Sequence, residues 1–431
     1  MTLPATPAAA PPLDIEHALF PTANSGADLG VDIGNNELPE GQIRPDAELG
    51  VLDITKWFGE TSGGVRTYLL QKARYVESQQ NLRQVMVIPG ARDAITHGTG
   101  VRCYRLRGPR IPTQRPYRFM LATRSIRRII HHERPSIIEV GSCFLVPWIT
   151  KRAARRSDVP LVFFYHSNFP RTISAFPDRD GGLRRAGHEM AWRYIRKLDT
   201  IFETTIVASQ FAADDLARNG VERTERVPLG VDLEHFHPRR RIDAMATRER
   251  LGIPIDAPVA AFVGRFAREK EVDVLVKAWA EIERRTDAYL VLVGDGPQRE
   301  NLHALAKANR RIFWMPYEND REQLANLLAA VDLFVAPCSI ETFGLSALEA
   351  LASGTPVLSA DRGGVSEQVQ RSGAGALFEA GDSHSLAENA VHLLNGDLRM
   401  LGLQGRAYAE REHSWPSVFG RIFEIYRRII A

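Results

Sequence analysis

Apolar and polar positions alternate between two periods along this chain. From about residue 49 onward, short β-branched apolar runs give way to stretches with apolar residues three and four apart, and the alternation then repeats. Runs at 50–54, 84–88, 101–106, 136–140, 161–165, 205–208 and 224–227 predict the strands of a first unit. Runs at 259–264, 289–293, 311–314, 333–336, 356–359 and 374–377 predict those of a second. Near-continuous apolar strands separated by amphipathic helices predict parallel sheets covered on both faces. The expected fold class is therefore α/β: two doubly wound, Rossmann-like domains facing a central cleft, with ligands at the carboxyl ends of the strands.

The expected division is an N-terminal domain over 47–233 and a C-terminal domain over 234–413, with a last helix at 414–431. That helix has Trp415, Phe419, Ile422, Phe423, Tyr426 and Ile429 on one side. The charged, poorly apolar segment 239–250 reads as a linker. Residues 1–46 are rich in Pro, Ala, Gly and acids, with Arg44 as the one basic residue, a composition that predicts a mobile tail.

Composition narrows the partners. The 431 residues are 44% hydrophobic and carry a formal charge of +3, too mild a balance to argue for nucleic acid. Cys103, Cys143 and Cys338 make no CxxC pair, and a scattered, odd set suits a reducing compartment. No apolar run reaches the roughly 18 residues that span a bilayer. No basic segment followed by an apolar run marks a signal peptide, so a cytoplasmic location is expected.

The most informative stretch is 337–357, PCSIETFGLSALEALASGTPV. Glu341 falls in a short loop after the apolar run 331–336, Gly344 opens a helix, and Gly354 with Pro356 closes it. Glu349 lies about two turns into that helix. A carboxylate beside a helix N-terminus, with a second one further in, suits a ligand with both a diphosphate and hydroxyl groups, such as a nucleotide-activated sugar. The run 259–264 ends in Gly264-Arg265-Phe-Ala-Arg-Glu-Lys270, where two fixed cations could stabilise a leaving diphosphate without a metal. Gly294-Asp295-Gly296 ends the next run and allows close backbone approach. In the first unit, Gly63-Gly64 follows the first run and opens a helix; it is no GxGxxG fingerprint, which argues against a dinucleotide oxidoreductase. His166 directly follows the run 161–165.

Pro337, Glu341, Phe343, Gly344, Leu348, Glu349, Ala350, Gly354, Pro356 and Val357 resemble the signature of the retaining glycosyltransferases of family 4, which have the GT-B fold. The resemblance covers roughly residues 50–430. It implies that Arg265 and Lys270 bind the donor diphosphate and that Glu341 touches the donor sugar. The N–H groups of Phe343, Gly344 and Leu345 would meet the diphosphate, and Glu349 would hold the ribose hydroxyls. It implies that the 294–296 loop borders the nucleotide, that residues 314–317 meet the base, and that His166 contacts the donor sugar. Gly63 and Gly64 would lie near the donor phosphates or the acceptor. The family's Gly-Gly-x-Pro-Glu segment is matched by Gly363-Gly364-Val365-Ser366-Glu367, with Ser366 in place of the proline.

The activity implied is retaining, metal-independent transfer of a hexose from a UDP- or GDP-linked donor to a hydroxyl acceptor, which could be a glycan, a lipid or a small molecule. No cofactor and no metal site is expected, since the sequence has neither HExxH nor zinc-type Cys/His spacing. Two helix-like stretches, 118–132 and 183–198, interleave Arg and Lys with apolar and aromatic residues. Each reads either as a solvated face or as a peripheral contact with an anionic membrane. A sugar-nucleotide epimerase, a phosphorylase and a non-catalytic nucleotide-sugar binding module remain alternatives.

Overall fold

The computed structural model describes residues 38–59, 63–112, 117–174, 182–318 and 320–431, together with Leu19, Ile33 and Gly34; side chains of 173, 174 and 182–184 are outside that description. Its strands are β1 Leu49–Ile54, β2 Leu82–Gly90, β3 Ala94–Gly98, β4 Val101–Arg107, β5 Ile137–Val140, β6 Leu161–Phe164, β7 Thr204–Val207 and β8 Thr224–Arg226. They continue with β9 Val259–Val263, β10 Tyr289–Val293, β11 Ile312–Met315, β12 Leu333–Ala336, β13 Val357–Ala360 and β14 Gly375–Phe378. The helices of the first half are α1 Gly64–Glu77, α2 Thr123–Glu133, α3 Leu145–Ala154, α4 Phe169–Ser174, α5 Gly182–Asp199 and α6 Gln210–Arg218. Those of the second are α7 Ala244–Leu251, α8 Val272–Arg285, α9 Arg299–Leu305, α10 Arg321–Ala330, α11 Leu345–Ala352, α12 Gly364–Ser372, α13 Ser383–Leu394, α14 Leu398–Glu412 and α15 Trp415–Ile430.

Two sheets result. The first has the order β3-β4-β2-β1-β5-β6-β7-β8, parallel throughout except for the antiparallel pair β3–β4. The second, β11-β10-β9-β12-β13-β14, is wholly parallel. Central strands such as LGVLDI of β1 are buried along their whole length, as a sheet with helices on both faces requires. The strand order reverses beside β1 in the first sheet and beside β9 in the second, and at such points the strand ends leave a crevice.

Three local expectations are corrected. β3, a short edge strand with only two apolar residues, was not expected; the tight Gly98–Gly100 turn folds it back on β4. The helix placed at 118–132 begins only at Thr123, because Arg118 pairs with Arg110 in an isolated bridge. The supposed linker 239–250 is helical, as a 3-10 turn over Pro238–Asp243 and then α7. Arg248 anchors it, donating to the carbonyls of Ile255, Ala257 and Ala330 and to the Asp332 carboxylate at 2.7 Å. One guanidinium with this many partners fixes a segment that hydropathy alone left unassigned.

The mobile tail expected over 1–46 lies largely outside the described residues. Its described part packs on the first sheet's domain. Leu19 and Ile33 are buried, and Arg44 donates to the carbonyls of Val76 and Leu82, each at 2.9 Å.

The two halves are joined at several places. Ser414 caps α15, which crosses back so that Phe419 stacks near Tyr68 and Tyr75 of α1. The Glu367 carboxylate accepts from the N–H groups of Gln210, at 2.9 Å, and Phe211, at the start of α6. Ser366, where the family pattern has proline, donates to the Gly363 carbonyl at 2.7 Å. The Thr342 hydroxyl donates to the His166 carbonyl at 2.9 Å, so the carboxyl ends of the two sheets meet across one cleft.

Candidate active site

The second domain contributes a cradle at the ends of β9, β10 and β12. Gly294 is required there: a Cβ on it would lie 1.9 Å from the Gly264 carbonyl oxygen, so only glycine lets the β9 and β10 loops touch. Gly296 closes the same turn, its N–H donating to Asp295 Oδ1 at 2.7 Å. Lys270 ends the β9 loop and pairs with Glu341 at the end of β12. Burial alone would lower the Lys270 pKa, but the Glu341 charge outweighs it and raises it. Burial likewise works against an ionised Glu341. Lys270 and the N–H groups of Thr342 and Phe343 overcome it, so its carboxyl stays below the usual range and charged at neutral pH.

Gly344 stands at φ +88° as the N-cap of α11, where a Cβ would meet Val365 Cγ2 at 2.2 Å. No side chain caps α11, which leaves its first N–H groups, beginning with Leu345, facing the cradle. The Phe343 N–H is turned to Glu341 and its ring is buried, so of the three N–H groups expected to face a diphosphate, this one is engaged by protein. Glu349, 4% exposed, is held by Arg321 of α10 at 2.9 Å. Burial raises the Glu349 pKa and Arg321 offsets part of that rise. Arg321 was not singled out in the sequence: it is one Arg among many, and its partner lies 28 positions away.

Arg265 is exposed and has no ion pair among the described residues. Its charge reaches Tyr117 of the first domain, easing a phenol that burial otherwise raises. Arg66, in the first turn of α1, likewise acts on Tyr317 of the second domain. Arg265, Lys270 and Arg66 therefore converge on the cleft, and Glu341 pairs with Lys270. Gly63 and Gly64 open α1, and a Cβ on either would meet nothing within 4 Å, so the close approach expected of this pair is not made by protein atoms. Residues 60–62 of the same loop lie outside the described residues.

His166 sits at the end of β6, its ring stacked on Phe164 with centroids 4.1 Å apart and edge-on to Tyr68 at 5.3 Å. Burial, then the nearby Lys72 charge, push its pKa down to about 3, so the imidazole is neutral. In the segment 314–317, Trp314 is stacked by His303 at 3.9 Å and Tyr317 is half-buried. Burial pushes the thiols of Cys143 and Cys338 up to about 12, which makes both poor nucleophiles. Glu281, His384 and Glu388 lie close enough to share a ligand, but Arg285 is already paired with both carboxylates.

The interleaved basic stretches resolve by face. In α2, Ile126, Ile129 and Ile130 are buried while Arg124 and Arg127 are exposed. In α5, Trp192 is buried and Arg193 and Lys197 are exposed, with Arg184 outside the described side chains. Among the described residues no helix is long and apolar enough to cross a membrane.

The profile of "Glycosyl transferases group 1" matches residues 243–407, and that of "Glycosyltransferase Family 4" matches residues 62–235. A GDP-mannose-dependent alpha-(1-6)-phosphatidylinositol dimannoside mannosyltransferase of Mycobacterium tuberculosis is 31% identical over 79% of this chain and 84% of its own length. A GDP-mannose-dependent alpha-mannosyltransferase of Corynebacterium glutamicum is 26% identical over 90% of each chain. Among solved structures, sucrose-phosphate synthase of Thermosynechococcus elongatus superposes with a TM-score of 0.72 at 23% identity, over 88% of this chain and 99% of that one. Anabaena HepE in complex with UDP and glucose gives 0.68 at 18%, over 88% and 100%. The chain belongs to glycosyltransferase family 4, the glycosyl transferases group 1, and is a hexosyltransferase of GT-B fold.

Proposed function

We propose that this enzyme transfers mannose from GDP-mannose to a hydroxyl of a lipid-linked acceptor, with retention at the anomeric carbon and without a metal. The donor and the acceptor class follow the printed activities of its mannosyltransferase relatives. The observation that carries the chemistry is the cation set at the strand ends: Lys270 held by Glu341, and Arg265 with no counter-charge of its own. As the glycosidic bond breaks, charge grows on the diphosphate, and preorganised cations beside the N-terminus of α11 stabilise it. Glu349, oriented by Arg321, offers its second oxygen to the ribose hydroxyls. Glu341 and the neutral His166 flank the sugar, and the acceptor oxygen attacks on the face that the diphosphate leaves, its proton passing to the released phosphate. The exposed arginines of α2 and α5 would bring the first domain to an anionic membrane face by charge, since Ile126, Ile129 and Ile130 of α2 and Trp192 of α5 turn inward.

The test is a donor screen in the presence of chelator, following nucleotide release from GDP-mannose, UDP-glucose and ADP-glucose. Release from GDP-mannose alone, lost in Glu341→Ala, is the expected result. Release from a UDP donor instead overturns the mannose assignment, and activity restored only by added divalent metal overturns the metal-free route. Proton NMR of the fresh product reads the anomeric configuration.

A further inference from the structure

The first domain holds a second cation that the donor chemistry does not use. Lys56 follows β1 and is 7% exposed, yet its ammonium has no carboxylate, carbonyl or hydroxyl partner among the described residues. Nζ lies instead between two rings, 4.2 Å from the centroid of Trp57 and 4.1 Å from that of Phe144. A buried cation without a counter-charge is costly, and ring faces offset only part of that cost. Burial accordingly lowers its pKa, with Cys143 opposing.

Phe144 is also the N-cap of α3, a helix of 10 residues whose start has no capping side chain and no acidic residue in its first turn. Leu145, the first helical residue, is 50% exposed, so this N-terminus is open. An uncapped helix start and an unpaired lysine thus point at one place, and both favour a compact anion. Tyr117 lies edge-on to Trp57, with centroids 4.9 Å apart, and gives the place an aromatic wall suited to the C–H face of a polyol ring.

The position relates this place to the reaction centre. Gly141, at the end of β5, is where a Cβ would lie 3.4 Å from both the His166 ring and Thr55, the residue before Lys56. Ser142 next to it accepts from the Lys56 N–H at 2.8 Å. Lys56 is therefore on the first-domain side of the cleft, beside His166 and across from the donor cradle.

We propose that Lys56 and the N-terminus of α3 form an acceptor subsite that binds a phosphate ester on the acceptor, with Trp57 and Tyr117 against its polyol ring. The subsite rests on the transferase reading above, because it assigns the charged group of the molecule that receives the sugar. The same chemistry is offered by a phospholipid headgroup and by a soluble polyol phosphate.

The test is calorimetric titration of the full chain, saturated with GDP, using a soluble inositol monophosphate and free inositol. Flotation with phosphatidylcholine vesicles, with and without phosphatidylinositol, runs in parallel. Wild type should bind the ester and not the free polyol. Lys56→Met should weaken ester binding by about ten- to a hundredfold, while Lys56→Arg keeps most of it and GDP affinity is the same in all three proteins. Phosphatidylinositol-dependent flotation lost in Lys56→Met assigns a lipid headgroup, and soluble binding without flotation assigns a free phosphate ester. Met is unbranched like lysine, one atom shorter, and suits a place between two rings, so the variant should keep or raise Tm. A lowered Tm with unchanged ester affinity makes Lys56 structural and overturns the proposal, as does wild type binding ester and free polyol alike. A wild type that ignores GDP, yet loses ester binding through Lys56→Met, overturns the transferase reading and leaves the anion subsite standing.

Discussion

Two lysine–carboxylate centres, one in each domain, differ in what surrounds them. In the first domain Lys72 is fully buried, 2.6 Å from Asp53 and 3.3 Å from Glu139, and donates to the Tyr426 hydroxyl at 2.9 Å. Tyr68 donates to Glu139 at 3.0 Å, Gln84 to Asp53 at 2.7 Å, and Tyr426 also to Glu139. In the second domain the Lys270–Glu341 pair keeps 30% and 22% of its side-chain surface, with a bare helix start and an unpaired Arg265 beside it. The first centre spends its polar groups on one another and on α15. The second keeps donors free for a ligand. A buried network with every member bonded specifies a tertiary arrangement, whereas an open one is prepared for a charge that arrives later.

Breaking the sealed centre should have the largest effect on stability. Lys72→Met leaves Asp53 and Glu139 buried without their cation and should cost about 3–5 kcal/mol in denaturant unfolding. Loss of less than 1 kcal/mol, roughly the value of an exposed pair, would show the network to be no deeper than a surface salt bridge. Breaking the open centre should act on rate instead. Lys270→Ala should lower kcat/KM by about 10²–10³-fold with little change in Tm; an equal loss of Tm would make the two centres alike. Tyr426→Phe removes the hydroxyl that links α15 to both Lys72 and Glu139, and should cost about 1–2 kcal/mol, read from the same unfolding curves.

The smallest effect is one of pH. Burial raises Glu139 from its ordinary 4.5 to about 7, with Lys72 opposing and Asp53 adding to the rise. Its folded pKa lies above its unfolded one, so the native state holds the proton more tightly. The stability from this group is complete below about 4.5 and is lost as pH rises to about 7. Asp53 and Lys72 balance when Glu139 is neutral, and a net negative charge is buried when it ionises. Glu139→Gln should flatten this part of the pH–stability curve, and an unchanged slope over that range would assign it to other groups.

The residues proposed for the donor side could be picked out because they are local. Glu341, Gly344 and Glu349 lie within nine positions on one loop and helix, and Arg265 and Lys270 on another loop, so strand ends and helix starts located them. Thirteen strands fell where apolar runs placed them, to within two residues at each end; β3 escaped because a five-residue edge strand leaves too little periodicity. Arg321, Arg66 and Lys56 escaped for a different reason. Each is an ordinary basic residue until a partner from a distant segment, or the lack of one, gives it a role. The segment 239–250 misled because its order comes from Arg248 reaching carbonyls up to 82 positions away, and a hydropathy pattern does not contain such contacts.

By itself the sequence determined the alternation of strands and helices, the two-sheet architecture and the family signature, since period, turn glycines and short motifs act over a few residues. Only the tertiary structure decided which charges are sealed and which stay open. Lys72 meets Tyr426 across 354 positions and Thr342 meets His166 across 176. Whether a lysine becomes a structural counter-ion, a phosphate ligand or a solvated side chain depends on burial and on the nearest opposite charge, and both exist only once the chain has closed on itself.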